Sequence, residues 1–194
     1  MSTQASAALR LASWILRSYP YTDAITHLKL QKLVFYSYGF GAARGFQPEL
    51  GTVVFEPWEH GPVSRAVWDD YKSFGGAPIP RPSDETAPVR YSPDAENVLG
   101  SVLRVYGLLN AWSIREQTHT EAPWQDAFKA HAGQIEDATI VAHFRTKLSS
   151  RFQLPELLFD RGSYSLDGTP SADLCFTSLE AAASALARIL PHAQ

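Results

Sequence analysis

Cysteine is nearly absent from this 194-residue sequence: Cys175 is the only one. A lone thiol excludes an intrachain disulfide and any thiolate-rich zinc site within one chain. Cys175 falls in an apolar strand pattern, where a thiol is usually inert. Long hydrophobic runs are also missing. A membrane-crossing helix needs about 20 consecutive apolar residues, and the opening "MSTQASAALRLASWILRSYP" has no positive segment ahead of an apolar one. The sequence therefore reads as a cytoplasmic protein with neither a signal peptide nor a membrane span. Charge of one sign is scarce too. Seventeen Lys and Arg stand against 20 Asp and Glu, for a net −3, without the basic excess typical of a nucleic-acid binder. No Walker A loop, G-x-G-x-x-G or G-x-S-x-G elbow occurs, so no motif cradles nucleotide phosphates or presents a serine nucleophile.

What is present is a globular pattern. With 45% hydrophobic residues and this length, the chain can bury a real core. A first helix is predicted over residues 4–18, stopped by Tyr19-Pro20. A second runs from about Thr26, a plausible N-cap, to Arg44, with Gly45 in the left-handed position beyond its end. It is apolar nearly all round (Leu28, Leu30, Leu33, Val34, Phe35, Tyr36, Tyr38, Phe40), as suits a helix at the centre of a core. "TVVFE", residues 52–56, reads as a short strand, and Pro62 as the first residue of a third helix ending before Gly75-Gly76. Residues 75–93 carry five of the 13 prolines and read as an extended loop.

A fourth helix, capped by Ser92 or Asp94, is predicted to reach about Asn110. A capping box at Ser113 and Glu116 predicts a fifth, Pro123 a sixth, and Asp137 a seventh reaching about Ser150. Beyond it, "GSYSLDGTPSADLCF" alternates about an Asp-Gly turn like a hairpin, and Thr177 and Glu180 cap an alanine-rich helix. The expected fold is mainly α: one globular domain of seven to eight helices with a small β element. Residues 5–150 form its body, and residues 151–194 are a hairpin and helix packed on it.

Candidate chemistry concentrates around "FEPWEHGPVSRAVWDDY" and "THTEAPW". His119 and Glu121 have the H-x-E order of zinc deaminases, yet Pro123 is followed by Trp124 and no cysteine pair exists to complete that site. His60, His119 and Glu121 could together serve a metal-dependent hydrolase. The plainer alternative is that each imidazole caps a helix or bonds a backbone carbonyl. Trp58, Trp68, Trp112 and Trp124 lie at helix starts or turns and suit core packing, with a partly exposed tryptophan corner as a binding anchor. Lys29 and Lys32, with Tyr36, share an edge of the second helix. That edge is either solvated or has a lysine folded onto an internal acceptor.

Three blocks together resemble one family. "LKLQKLVFYSYG" (Leu28 to Gly39), "PWEHGPVSRAVWDDYKSFG" (Pro57 to Gly75) and "LLNAWSIREQTHTEAPWQDA" (Leu108 to Ala127) are similar, in order and spacing, to the motifs of the Panacea domain of SocA-like antitoxins. The matching positions are Lys29, Leu30, Gln31, Lys32, Leu33, Trp58, Gly61, Pro62, Val63, Tyr71, His119, Glu121, Pro123 and Trp124. Pro57 replaces the usual alanine. The resemblance implies a mainly helical, non-enzymatic bacterial or phage antitoxin that needs no cofactor. Its partner would be a cognate toxin protein, neutralised by direct binding or by delivery to an ATP-dependent protease. No nucleic acid or membrane partner is implied. The matched residues, with His60 beside them, are the expected family-motif or partner-binding positions. Among them, Leu, Gly, Pro and Trp at packing faces read as scaffold.

Overall fold

The computed structural model describes residues 3–20, 25–83 and 87–149. Eight α-helices occur among them: α1 (Thr3–Ser18), α2 (His27–Ala43), α3 (Gln47–Leu50), α4 (Arg65–Tyr71), α5 (Pro93–Tyr106), α6 (Ala111–His119), α7 (Ala122–Lys129) and α8 (Asp137–Ser149). Two short strands, β1 (Glu56–Trp58) and β2 (Gly61–Val63), pair antiparallel. The expectation of a mainly helical single domain with a small β element holds. The predicted C-terminal hairpin and helix lie outside the described residues.

The pattern of α2 decides the architecture. Its apolar residues circle the helix, so no face can be left to water. It touches α1, α3, α4, α5, α6, α8 and β2, and every residue from Lys29 to Ala42 is buried. The Thr26 hydroxyl caps its N-terminus by accepting from the Lys29 N–H. Gly45, at φ 91°, follows its end. Around α2 the core is an aromatic cluster: Phe35 meets Phe55 and Phe144 edge-on at 5.3 and 5.5 Å, and Tyr36 stacks on Tyr106 at 3.8 Å. Phe144 reaches this cluster because Gly39 leaves α2 bare beneath its ring. Tyr38 donates to Asp137 at the first turn of α8, and Gln47 supports both groups.

Several boundaries differ from the sequence reading. The strand is not at 52–56; it begins at Glu56 and includes the corner itself. Pro62 lies within β2 rather than opening a helix, and α4 starts only after Ser64. The reason is local. Trp58 pairs with Gly61 across a turn of Glu59 and His60, neither of which takes a positive φ. The left-handed residue is Gly61, at φ 92°, immediately after the turn, a conformation glycine adopts at no steric cost. Pro62 tolerates the strand because its pairing there is with Pro57, another residue without an N–H to place. Helix α5 ends at Tyr106, which frees Asn110 to cap α6 by accepting from Ser113 N–H at 2.8 Å. The start of α6 is therefore set by Asn110, not by the Ser113–Glu116 box. Short helix α3 went unpredicted because four residues show no period.

The proline-rich stretch after Gly75 is tied down where it is described. Ile79 donates its N–H to Ile25 C=O, Arg81 reaches Tyr19 C=O, and Arg17 reaches Ser83 C=O. No helix among the described residues is long and apolar enough to cross a membrane.

Candidate functional site

The buried polar edge of α2 organises the β-hairpin. Lys29, Gln31 and Lys32 are only 2%, 2% and 0% exposed, so the solvated-edge reading of the lysines is corrected: β2, α4 and α6 cover that edge. Gln31 is the central clamp. Its Nε2 donates to Ser64 C=O at 3.2 Å, and its Oε1 accepts from Ser64 N–H at 2.9 Å. The side-chain amide thus pairs with the backbone as a neighbouring strand would. Lys32 Nζ donates to Pro62 C=O at 2.9 Å. Burial, reinforced by the nearby Arg115 charge, pushes the Lys32 ammonium down to about 7. Lys29 lies over the Tyr19 ring, with Nζ 5.2 Å from its centre.

The hairpin in turn leans on the end of α6 and the start of α7. A Cβ on Gly61 would meet Thr118 Oγ1 at 2.6 Å, so the backbone passes there with no room for a side chain. Arg115 Nη2 reaches Glu59 C=O. Trp124 donates its indole N–H to Trp58 C=O at 2.9 Å, and its ring stacks on His119 at 3.9 Å and Phe128 at 4.8 Å. Burial and the Arg115 charge lower the His119 pKa, with His60 a smaller contributor. His119 Nε2 has no protein partner.

Glu121 points the other way. It is 1% exposed and sits at the head of α7, beneath α2 and α8. Tyr36 OH donates to its Oε1 at 3.1 Å, Lys147 Nζ donates to the same oxygen at 2.6 Å, and His143 Nε2 lies 2.5 Å from Oε2. Burial pulls this carboxyl up, but His143 and Lys147 outweigh it and hold it below the ordinary carboxylate value. Burial, followed by the Glu121 charge, drives Tyr36 and Tyr106 well above the ordinary phenol value. Glu121 is consequently occupied by an internal ion-pair cluster and is not assembled with His60 and His119 for metal chemistry. Among the described residues no group of three or more His, Cys, Asp or Glu could hold a metal ion. His143 and Lys147 stand outside the residues expected from sequence. Their spacing of one helical turn on α8 was the available signal, but that segment reads equally well as basic charge near a helix C-terminus.

The remaining expected residues divide between packing and surface. Val63 is buried, and half-buried Tyr71 packs on Phe74 at 6.4 Å. Trp58 and Trp68 meet at 5.5 Å. Arg65 covers Trp58, its guanidinium carbon 4.6 Å from the ring centre, and Lys72 covers Trp68 at 4.6 Å. Glu56 binds both the Trp58 N–H and Arg65. His60 is exposed, with its ring edge-on to Trp112 at 6.0 Å. Trp112 itself is 61% exposed.

The three motif blocks are thus one contact network: α2 grips the hairpin, and the hairpin grips the α6–α7 junction. That junction returns Glu121 to α2. Residues 30–125 match the family model described as antitoxin SocA-like, Panacea domain. No curated protein and no solved structure matches the chain.

Proposed function

Because residues 30–125 place this chain in the SocA-like antitoxin family of Panacea-domain proteins, we propose that it is the antitoxin of a toxin–antitoxin pair. In this reading it neutralises its cognate toxin protein in the cytoplasm by direct binding and performs no catalysis. The family implies a toxin partner in general; the family match is the observation that carries the proposal. The geometry is in keeping with it. Two chemistry-bearing residues of the motif, Lys32 and Glu121, are held by internal partners, as expected of a scaffold that presents a surface.

Co-expression tests this reading. The product of the adjacent reading frame should arrest growth when expressed alone. It should be harmless, and should co-purify with this chain, when the two are expressed together. Arrest that persists with no complex formed counts against the proposal. Measuring the toxin's half-life with and without ATP-dependent proteases separates the modes: direct blocking leaves it unchanged, and delivery shortens it only when the protease is present.

A further inference from the structure

Helices α7 and α8 touch and leave between them a groove of about 470 Å³. Ala122 and Pro123 form its α7 wall, and Ala138, Ala142 and Thr146 follow one another at four-residue spacing along its α8 wall. Ala122, Ala138 and Ala142 are exposed, and no carboxylate, lysine or arginine among the described residues lines the groove. Two of its polar groups are already engaged within the domain. The Thr146 hydroxyl donates to Ala142 C=O at 3.1 Å, and His143 Nε2 lies 2.5 Å from Glu121 Oε2. A trough walled by small, uncharged residues suits an apolar helix face, because small side chains at the contact let helix axes approach to about 8 Å.

The chain itself carries a segment of that pattern, outside the described residues. In "LEAAASALARIL", residues 179–190, helical spacing sets Leu179, Ala183, Leu186 and Leu190 on one face and Glu180, Ser184 and Arg188 on the other. Helices shorter than about 12–15 residues are marginal alone in water, so such a stripe needs a surface to bury against. The lengths agree: as a helix the segment would span about 18 Å, against about 20 Å for α8. The reach is ample. Helix α8 ends at Ser149, one turn beyond Thr146, and residues 150–177 can extend over about 90 Å. We propose that residues 179–190 seat the Leu179–Ala183–Leu186–Leu190 stripe in the α7–α8 groove, as a further helix of the domain. Tethering favours this occupant over a separate molecule, because a linked segment meets its site at about millimolar effective concentration. Seated there, it covers the exposed part of His143 and shields the His143–Glu121 pair from water.

The seat is independent of the antitoxin reading and is tested on the full chain without a partner. In a Cys175→Ser background, Ala142→Cys marks the middle of the groove and Ala183→Cys the middle of the stripe. Under mild oxidation the two should form an intramolecular disulfide, which requires Cα atoms within about 7 Å. The bond should form about tenfold faster than one between Asp70→Cys, on α4, and Ala183→Cys. Without cross-links, Leu186→Asp and Ala142→Glu should each speed tryptic cleavage after Arg188 severalfold. Ser184→Asp, on the opposite face of the segment, should leave that cleavage unchanged. If the Ala142–Ala183 pair closes no faster than the Asp70–Ala183 pair, the seat is wrong. Disulfide-linked dimers in place of the intramolecular bond also overturn it, since they assign the groove to a second copy. Arg188 cleaved as fast in the wild-type chain as in Leu186→Asp overturns it too and leaves the groove to a separate partner.

Discussion

The side-chain amide of Gln31 bonds both backbone groups of Ser64, 33 residues away, so that a helix edge serves the hairpin as a strand edge would. Ser64 is 2% exposed, so water cannot replace the amide.

Gln31→Ala leaves the buried Ser64 N–H unpaired, while Ser64 C=O keeps the Trp68 N–H at 2.9 Å. With one orphaned buried group, the variant should lose about 1–3 kcal/mol of stability. Gln31→Glu keeps the acceptor for Ser64 N–H but sets a carboxylate oxygen against Ser64 C=O, and should be nearly as damaging. Urea denaturation of the two variants measures this directly, and a loss below about 1 kcal/mol for Gln31→Ala would mean that the clamp is dispensable.

Lys32 gives the fold an alkaline stability gradient. Its folded pKa of about 7 lies below the usual 10.5, so between those values the unfolded chain binds the extra proton. Stability should rise with pH over that window, by at most about 1.4 kcal/mol per pH unit for one proton. Below about pH 7 both states carry the charge, and the full cost of burying it remains. Lys32→Met should reduce the slope, so the difference between variant and wild type, followed by chemical denaturation from pH 7 to 10, is the informative quantity.

Glu121 acts with the opposite sign. Its folded pKa is held below the ordinary 4.5, so its stabilising contribution is present above pH 4.5 and is lost as pH falls through the folded value. Glu121→Ala leaves Lys147, His143 and Tyr36 without their shared acceptor and should cost about 3–5 kcal/mol at neutral pH. Glu121→Gln should cost less and should blunt the acid sensitivity. Thermal melts from pH 3 to 7 check both expectations.

Gly61 joins two constraints in one residue: a φ of 92° and a Cβ position 2.6 Å from Thr118 Oγ1 and 3.0 Å from Lys32 Nζ. Gly61→Ala should therefore destabilise by about 2–4 kcal/mol, from backbone strain added to overpacking. If the clash with Thr118 is the larger part, Thr118→Ser will not relieve it, since the hydroxyl remains, but Thr118→Ala will partly rescue the glycine variant. A double-mutant cycle separates the two contributions.

Elements whose signal is local were legible in the sequence. The continuous apolar surface of α2 announced a central helix. Thr26 and Gly45 marked its ends, Ser92 capped α5, and Pro123 and Asp137 opened α7 and α8 within a residue or so. The corner at Gly61-Pro62 was misread because Pro at a helix start is a strong local signal. The pairing of Trp58 with Gly61 depends on Gln31, Lys32 and Thr118, which lie far along the chain. The lysines of α2 were misread for the same reason. An isolated helix keeps a Lys29–Lys32 edge in water, and only the packed chain supplies what makes burial tolerable: Pro62 C=O of β2 for Lys32 and the Tyr19 ring for Lys29.

By itself the sequence determined the helical class, the central place of α2 and the family, because periodicity, capping and motif order are properties of neighbours along the chain. Only the tertiary structure decided what the motif residues do. Whether Glu121 faces His119 or Lys147, whether Lys32 is wet or buried, and which tryptophan is left in solvent all turn on which distant groups meet, and burial then sets how strongly each charge is felt.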